Sequence, residues 1–396
     1  MENHNKIMNL NSIKSILTLR YDYTQKPLLP RLTWKDLEKK TDISQTSIED
    51  TIKDELIKKI PCDYKGKISI SLSGGIDSSL MLCLLKNLFP DNDIEAISIK
   101  FQDSYDETDN AAKIARKLDV NHHIIEIKNY LTKLQDAISI TKLPFWDIHW
   151  LYVVEKSRKF SKYLVSGDGG DELFGGYIFR YSKFLSLVDT NSSVKERIIA
   201  YLSCHERDHV PDQEEIFANK FKFDYNDIFH ILEPYFDNSL SPLEQLFLAD
   251  YNGKLLYNFS IVNSRIAKFY NIESVTPILS DTMIRQLMAT PTNQKYDSIN
   301  NLGKLPLLKI LGKYGIKELI SKEKLGFSVN TKNLWKNYGY DMANEYLMNG
   351  QIINDGWIRK DWIASHINKK ELDIRYVNKI LGLLAFEIWY RSFNRN

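Results

Sequence analysis

Apolar and polar positions along the first half of the chain follow the pattern of strands separated by helices. Short, nearly continuous apolar runs are typical of strands buried on both faces of a parallel sheet, and they occur at Lys67–Leu72, Ile94–Phe101, His123–Ile127 and Lys162–Ser166. Helical patterns lie around them, at Ser47–Ile60, at Ser78–Leu88 and over DETDNAAKIARKLD. This alternation predicts right-handed βαβ units. From about Tyr181 the period is mainly helical. We therefore predict an α/β fold, a doubly wound parallel sheet with a largely helical C-terminal half.

The N-terminal residues show a different pattern. Residues 1–45 are polar and contain YTQKPLLPRLTW, in which Pro27 and Pro30 interrupt any regular element. We predict that residues 1–45 form an extension that packs on the main domain or on a partner. Residues 46–396 are predicted to form the main domain.

Composition and charge narrow the class of protein. The chain has 396 residues, 43% of them hydrophobic and 26% charged, with a net charge of +2. These are globular values, and the small net charge argues against general binding to nucleic acid or to a membrane surface. No apolar run approaches the ~20 residues of a membrane helix, and the N-terminus has no secretory signal. The cysteines Cys62, Cys83 and Cys204 form no Cys-x-x-Cys pair. We expect a soluble, cytoplasmic protein.

The stretch SGGIDSS, residues 73–79, joins the first predicted strand to a helix. Ligands of open α/β sheets bind beyond the carboxyl ends of the strands. The two glycines let the backbone approach an anion, the serines offer hydroxyl groups, and the helix N-terminus offers N–H groups. These features predict a phosphate cradle, with a glycine-rich turn and helix cap as the structural alternative. The chain contains no GxxxxGK[ST], so this is not a Walker-type site.

Acidic residues accompany both predicted loops. Asp77 would repel a phosphate unless a cation lay between them, so it predicts Mg²⁺. The second loop, KYLVSGDGGDELFGGY, again places glycines and acids between a strand and a helix. Asp171 is its best metal ligand, with Asp168 and Glu172 nearby. The alternative for this loop is a flexible acidic segment.

Several motifs together resemble a known family. SGGIDSS resembles the pyrophosphatase loop of the N-type ATP pyrophosphatases, and SGDGGDELFGGY is similar to the second signature of the asparagine synthetase synthetase domain. Further similar segments follow in order: SIKF at 98–101, Asp106-Glu107, His122-His123, IESVTPILSD at 272–281, GKLPLLKIL at 303–311, KEKLGF at 322–327 and the closing KILGLLAFEIWYRSF. The resemblance extends from about residue 46 to the end. It implies an adenine nucleotide alpha hydrolase-like fold and an ATP pyrophosphatase/ligase domain.

The resemblance also assigns residues to roles. It implies catalytic roles for Lys324, Asp168 and Arg265. It implies Mg²⁺ on Asp77 and Asp171. It implies that ATP contacts Leu72, Ser73, Gly74, Gly75, Asp77, Ser78, Ile99, Ser166 and Gly167, with the strand around Ile99 holding the adenine.

The chain departs from the family where the acceptor is expected to bind. The family's "SGEG" is SGDG here, with Asp168 for Glu. Of the family's "DRMSMA" only Arg265 persists, and Val275 and Ser280 replace the Arg and Asp of "VRVPFLD". We also expect the family's glutamine-hydrolysing domain to be absent, because residue 2 is Glu and the first 45 residues are too few to form it.

The function implied by the resemblance is an ATP-dependent amide-forming ligase of the asparagine synthetase type. A small carboxylate would attack ATP to give an acyl-adenylate and pyrophosphate, and attack by ammonia or an amine on the acyl carbon would then release AMP. Nitrogen would come from free ammonia, from a separate glutaminase subunit, or from an amine on the substrate. The last option covers intramolecular cyclases resembling β-lactam synthetase or the lasso-peptide cyclases. A homodimer is compatible with the sequence.

Three rival interpretations belong to other classes. HERDH, residues 205–209, is a literal HExxH, the signature of zinc metalloproteases. Its central Arg207 and Asp208 are charged, Pro211 follows closely, and no third ligand is placed nearby. A tRNA-modifying sulfurtransferase would want paired cysteines and a basic surface, and neither is visible. Asp77, Asp171 and Lys324 argue against a catalytically inactive binding subunit.

Overall fold

A parallel sheet forms the centre of the computed structural model, which describes residues 9–42, 44–205, 209–320, 329–369 and 371–394. In these residues the sheet has five strands in the spatial order β3-β2-β1-β4-β5, and all neighbours are parallel. The four predicted strands are confirmed, with ends shifted by one or two residues. The strands are β1 (Ile68–Ser71), β2 (Ile94–Phe101), β3 (Asn121–Ile127), β4 (Tyr163–Val165) and β5 (Glu273–Val275).

Helices surround the sheet and make up most of the second half, as predicted. In the first half they are α1 (Leu10–Leu19), α2 (Trp34–Glu38), α3 (Gln45–Lys59), α4 (Ile76–Leu88), α5 (Thr108–Lys117), α6 (Leu134–Thr141), α7 (His149–Ser157), α8 (Gly170–Phe174), α9 (Ile178–Leu187) and α10 (Val194–Cys204). In the second half they are α11 (Tyr225–Phe236), α12 (Pro242–Asp250), α13 (Ser260–Phe269), α14 (Asp281–Ala289), α15 (Leu305–Lys313), α16 (Thr331–Leu334), α17 (Tyr340–Leu347), α18 (Gln351–Asn354), α19 (Lys360–Ile367) and α20 (Ile374–Asn394). Two π-helical segments, Tyr251–Phe259 and Trp335–Gly339, join some of them. Within the described part of the chain, no helix has the length and apolar character to cross a membrane.

The sheet is covered on both faces, which confirms the doubly wound arrangement. Ile68 and Ile70 of β1 are fully buried in one hydrophobic core together with residues of α4 and α5. Ile97 and Ile99 of β2 belong to a second core with residues of α6, α7 and α20. Burial of each such side chain contributes about 1.5–3 kcal/mol, so both faces of the strands stabilise the sheet.

The strand order fixes where a ligand can bind. β1 lies between β2 and β4, and its register pairs Ser69 with Leu164 and Ile70 with Val165. The chain leaves β1 on one side toward β2 and returns on the other as β4, which makes this pair the topological switch point. The loops that follow β1 and β4 therefore lie next to each other.

Strand β5 was not predicted. It has only three residues, Glu273–Val275, of which only Val275 is buried. It pairs with β4 at the edge of the sheet, and the backbone N–H of Ser166 donates to Val275 O at 3.0 Å. A run this short has no apolar signature. Its position beside β4 depends on tertiary packing.

The N-terminal segment contains two helices that were not predicted, α1 and α2. Ile13, Ile16 and Leu17 are buried in the second core, the one that contains residues of α6, α7 and α20. Leu32 and Leu37 are buried in the first core, the one that contains residues of α4 and α5. The described part of the predicted extension therefore packs against the main domain. The boundary at residue 45 stays a prediction.

A buried carboxylate joins α3 to α15. Glu49 Oε2 accepts from Lys313 Nζ at 2.7 Å, and Oε1 accepts from Lys53 Nζ and from the Tyr314 hydroxyl, each at 2.8 Å. Burial alone would raise the pKa of Glu49. The hydrogen bonds from Lys313, Lys53 and Tyr314 outweigh it and lower the pKa to about 2.

Glu49→Gln is expected to lower the free energy of unfolding at neutral pH by about 1.5–3 kcal/mol, the range for hydrogen bonds to charged groups. Because the folded-state pKa lies below the unfolded value of about 4.3, this stabilisation is present above that value and is lost as the pH falls through about 2. Denaturant unfolding of both proteins between pH 7 and pH 2 measures the difference. Glu38→Gln, at an exposed position on α2, is the control. A wild-type advantage that does not shrink in acid would contradict the assignment.

Candidate active site

The first loop connects β1 to α4 and is closed by its own serines. Ser73 Oγ and Ser78 Oγ are 3.1 Å apart, and the Ser78 hydroxyl donates to Gly75 O at 3.3 Å. The backbone N–H of Gly75 donates to Ser73 Oγ at 3.3 Å. Gly75 is also the N-cap of α4 and offers no side chain to the helix start. The first turn of α4 therefore keeps N–H groups for an anion.

Gly74 is required by the backbone of this loop. Its φ is +77°, which is the left-handed region that L side chains rarely adopt. A Cβ there would also lie 3.0 Å from the backbone nitrogen of Ala111 on α5. Glycine therefore allows both the turn and the close packing of α5 against the loop.

The two acidic loops meet at a buried lysine. Lys304 Nζ forms ion pairs with Asp77 on α4 and with Asp171 on α8, the latter at 2.6 Å from Oδ1. Lys304 directly precedes α15, and its backbone N–H donates to Phe174 O at 2.9 Å. The Lys304 side chain is only 6% exposed. Burial would lower its pKa, but Asp171 and Asp77 outweigh that effect and raise it. The ammonium group therefore stays charged.

Lys304 is a candidate functional residue that the sequence interpretation missed. The segment GKLPLLKIL was matched to the family, yet its lysine received no role. The available signal was a lysine held just before an apolar helix that carries Pro306 in its first turn. A solvent-facing lysine would show the same local pattern, so only the tertiary structure distinguishes the two cases.

Asp168 lies beside this charged group. Its Oδ2 accepts from Asn263 Nδ2 of α13 at 3.1 Å. Burial raises the pKa of Asp168, and the charges of Asp77 and Asp171 raise it further, against the lowering effect of its hydrogen bonds. The result is a carboxyl group that holds a proton more readily than an exposed aspartate.

Glu172 belongs to a network of polar contacts that joins α8 to α9 and α12. Its Oε1 accepts from the Tyr177 hydroxyl at 2.6 Å. The Arg180 guanidinium lies 4.3 Å from the centre of the Tyr177 ring and forms a 2.8 Å ion pair with Asp250. Glu172 and Tyr177 line the same cavity as Lys304, and this network holds both side chains in place.

Two adjoining cavities open at this end of the sheet. The loop cavity, of about 420 Å³, is lined by both loops and by Lys304. The side cavity, of about 620 Å³, extends between the N-terminal segment, α13 and the region of β5. The two share Asp168, Leu255, Phe259 and Asn263. Asp168 and Asn263 thus stand at the junction between the loop cavity, which contains the Lys304 ion pairs, and the wider side cavity.

Most of the predicted site residues come together in the loop cavity: Ser73, Gly75, Asp77, Ser78, Ser166, Gly167, Asp168 and Asp171. Leu72 and Ile99 instead bury their side chains in the two cores. The Arg265 guanidinium donates to Thr141 O and, at 3.1 Å, to Gln25 Oε1, so it points to the N-terminal segment. Lys324 and the rest of KEKLGF lie outside the described residues. The catalytic and binding roles of all these residues stay predictions.

The donor set suits magnesium with a phosphate ligand. Among the described residues there is no group of three or more His, Cys, Asp and Glu side chains placed to hold a metal ion. Mg²⁺ in proteins commonly takes one or two carboxylates and completes its shell with water and substrate phosphates. Asp77 and Asp171, which share one ammonium group, satisfy that requirement for a magnesium–nucleotide complex.

The two histidines of HERDH have separate partners. Helix α10 ends at Cys204, and His205 follows as its C-cap, with Nδ1 2.8 Å from Tyr201 O and Nε2 3.5 Å from Asp250 Oδ1. His209 Nε2 lies 2.7 Å from the Tyr225 hydroxyl. Residues 206–208 lie outside the described residues. The arrangement of His205 and His209 gives the metalloprotease interpretation no support.

Comparison with known proteins identifies relatives of the chain. The family model for asparagine synthase matches residues 62–391. Asparagine synthetase [glutamine-hydrolyzing] 1 of Bacillus subtilis is 22% identical over 91% of this chain and 61% of its own length. Putative asparagine synthetase [glutamine-hydrolyzing] 2 of Methanocaldococcus jannaschii is 29% identical over 41% of this chain and 33% of its own. The chain thus spans about three-fifths or less of these relatives.

Similarity to solved structures is lower. An NH3-dependent NAD synthetase from Campylobacter jejuni aligns with a TM-score of 0.26 and 22% identity, over 34% of this chain and 61% of that one. An NMN synthetase from Francisella tularensis aligns with a TM-score of 0.28 and 14% identity, over 53% of this chain and 95% of that one.

Gly176→Ala is expected to disrupt the Lys304 ion pairs. The added Cβ would overlap Asp171 Oδ1 and Lys304 Cε, and a broken buried pair costs about 3–5 kcal/mol. Gly312→Ala on α15 is the control, since a Cβ there meets nothing within 4 Å. It should be neutral or stabilise by up to about 1 kcal/mol. Thermal unfolding measures the stability of both variants. Equal melting temperatures of Gly176→Ala and Gly312→Ala would contradict the packing around Lys304.

Proposed function

Since the chain belongs to the asparagine synthase family, we propose that it activates a carboxylate with ATP and transfers the acyl group to ammonia or an amine. The single observation that carries this proposal is the convergence of Asp77, Asp171 and Lys304 on one point beyond the ends of β1 and β4. Two carboxylates and one ammonium group are suited to a magnesium-bound polyphosphate, which needs both metal ligands and a cation.

The proposed first step forms an acyl-adenylate. A carboxylate oxygen of the substrate attacks the α-phosphorus of ATP, and the bond to the bridging oxygen breaks to release pyrophosphate. The Ser73 and Ser78 hydroxyls and the first N–H groups of α4 would bind that pyrophosphate. The Lys304 ammonium would stabilise negative charge that develops on the phosphoryl oxygens. Mg²⁺, held by Asp77 and Asp171, would neutralise part of the same charge.

The proposed second step forms the amide. Ammonia or an amine attacks the acyl carbon, the bond to the phosphate oxygen breaks, and AMP leaves. The attacking nitrogen must lose a proton. Asp168, at the junction of the two cavities and with a raised pKa, is suited to accept it when ionised. Asn263 would hold the Asp168 carboxylate in place through its 3.1 Å hydrogen bond. Arg265 would act indirectly, through its contacts with Thr141 and Gln25.

A second candidate function is an intramolecular amide cyclase, in which the substrate supplies its own amine. The side cavity of about 620 Å³ favours it, because that volume exceeds what a small amino acid and ammonia require. The two functions share the first step. They differ in whether an external amine is needed.

Pyrophosphate release from Mg²⁺·ATP tests the proposal. Candidate carboxylates are supplied with ammonia, with glutamine or with no amine. Release with aspartate and ammonia would identify asparagine synthesis, whereas release without any amine source would favour the cyclase. Activity with glutamine only after a second protein is added would reveal a separate glutaminase subunit. Conversion of ATP to ADP and phosphate as the sole products would contradict the proposal.

Lys304→Ala is expected to lower the rate of carboxylate-dependent pyrophosphate release by roughly 10²–10³-fold, as for other preorganised charge-stabilising groups. Lys309→Ala serves as the matched control, because Lys309 is exposed on the same helix. Initial rates of the three proteins provide the comparison. Normal turnover by the Lys304 variant would remove this lysine from the mechanism.

Lys324→Ala should still bind ATP but lose substrate-dependent pyrophosphate release, again by roughly 10²–10³-fold. Calorimetry of ATP binding and the pyrophosphate assay separate the two effects. Lys322→Ala is the control within the same motif. A Lys324 variant that retains wild-type turnover would refute the role that the family resemblance implies.

A further inference from the structure

One wall of the side cavity comes from a segment that lies outside the family match. Leu28 and Leu29 line the cavity, whereas the family model begins at residue 62. The apolar floor of the cavity includes Ala267 on α13 together with Ile272 and Leu279. One apolar wall of the place where the acceptor is expected is therefore formed by residues outside the range that the family model matches.

This apolar wall is firmly held. We call residues 20–32 the strap. The Tyr251 hydroxyl donates to Pro30 O at 2.7 Å, and the Asn258 side chain donates to Arg20 O at 2.7 Å. Asn252, which is fully buried, accepts from Leu32 N at 3.1 Å and donates to Leu32 O at 3.0 Å. All three anchoring side chains lie in the π-helical segment Tyr251–Phe259, which also lines the cavity through Leu255 and Phe259.

The chemistry of the cavity changes along its length. Leu255, Ala267, Ile272 and Leu279 form a buried apolar floor. Asp168 and Asn263 stand at the inner end, whereas Lys268, Glu273 and other polar residues at the outer rim are exposed. Leu28 is 59% exposed, so its side chain is accessible to a ligand that enters the cavity.

Two of the family positions that differ in this chain, Val275 and Ser280, add no charge to this space, whereas Lys268 adds an exposed ammonium group to its lining. Val275 is fully buried in the first core, together with residues of α4 and α5. The Ser280 hydroxyl caps α14 by accepting from Met283 N at 3.3 Å. An aspartate bound along the apolar floor would place its α-ammonium and α-carboxylate groups against Leu255, Ala267 and Ile272, and burial of unpaired charges is strongly unfavourable.

We propose that the acceptor is a linear carboxylate with an apolar chain, and that Leu28 and Leu29 are specificity-determining residues for it. The carboxylate end passes Asp168 and Asn263 into the loop cavity, and the chain lies between the strap and the floor formed by Leu255 and Ile272. This inference rests on the proposed carboxylate activation and names its substrate class.

A chain-length series tests the substrate class. Pyrophosphate release is measured with acetate, butyrate, hexanoate and octanoate, and with aspartate, at saturating ammonia and Mg²⁺·ATP. Each added methylene group should lower KM by about fourfold until the cavity is filled, which corresponds to the ~0.8 kcal/mol of burying one CH₂. Aspartate should be the poorer substrate. A KM that is independent of chain length, or a preference for aspartate, would overturn the inference and leave the proposed function standing.

Variants of the strap test the two leucines. Leu28→Ser and Leu29→Ser should raise the KM for hexanoate by roughly tenfold and leave the kcat for acetate unchanged. Leu187→Ser is the matched control, because Leu187 is 51% exposed on α9 and lines neither cavity. Melting temperatures verify that each variant is folded. Unchanged KM values in both strap variants would exclude them as specificity-determining residues.

Direct binding separates this inference from the proposed function. If no carboxylate produces pyrophosphate, carboxylate activation fails as the function. Calorimetry with hexanoate and with aspartate then still measures which of the two ligands the protein binds more tightly. Tighter binding of hexanoate that is weakened in Leu28→Ser but not in Leu187→Ser would support the apolar site, and equal or absent binding of both ligands would overturn it.

Discussion

The ion pairs of Lys304 with Asp77 and Asp171 are the interaction on which the site depends. The Lys304 ammonium is buried between two partly exposed carboxylates, and its loss would remove the positive charge that both of them share, at a cost of several kcal/mol. The three charges sum to one negative charge. That excess is what a site for a further cation requires, so the same arrangement can stabilise the ligand-free protein and accept a metal–nucleotide complex.

The rest of the fold explains how residues so distant in sequence meet. Asp77 lies in the first turn of α4, Asp171 in the first turn of α8, and Lys304 just before α15. β1 and β4 are neighbours, so α4 and α8, which follow these two strands, start at the same edge of the sheet. The link from Glu49 on α3 to Lys313 then fixes the far end of α15 against the same face. Distant packing thereby sets the distance between Lys304 and the carboxylates.

The sequence was sufficient to predict the four strands with apolar runs and the two loops, because buried parallel strands and glycine-rich turns have strong local patterns. It was not sufficient for β5, which has two residues that are not buried and depends on β4. The helices α1 and α2 were also missed, since Pro27 and Pro30 dominated the pattern of that region. The role of Lys304 and the contribution of Leu28 to the side cavity depend on contacts between residues more than 200 positions apart, and such contacts leave no local signal.

The most direct test of the central claim is calorimetric titration of the wild-type protein with ATP, with and without Mg²⁺. If Asp77 and Asp171 form a magnesium–nucleotide site, ATP should bind measurably with Mg²⁺ and far more weakly without it, because the triphosphate would otherwise face two carboxylates and one lysine. Equal affinity in the presence and absence of Mg²⁺ would contradict the account.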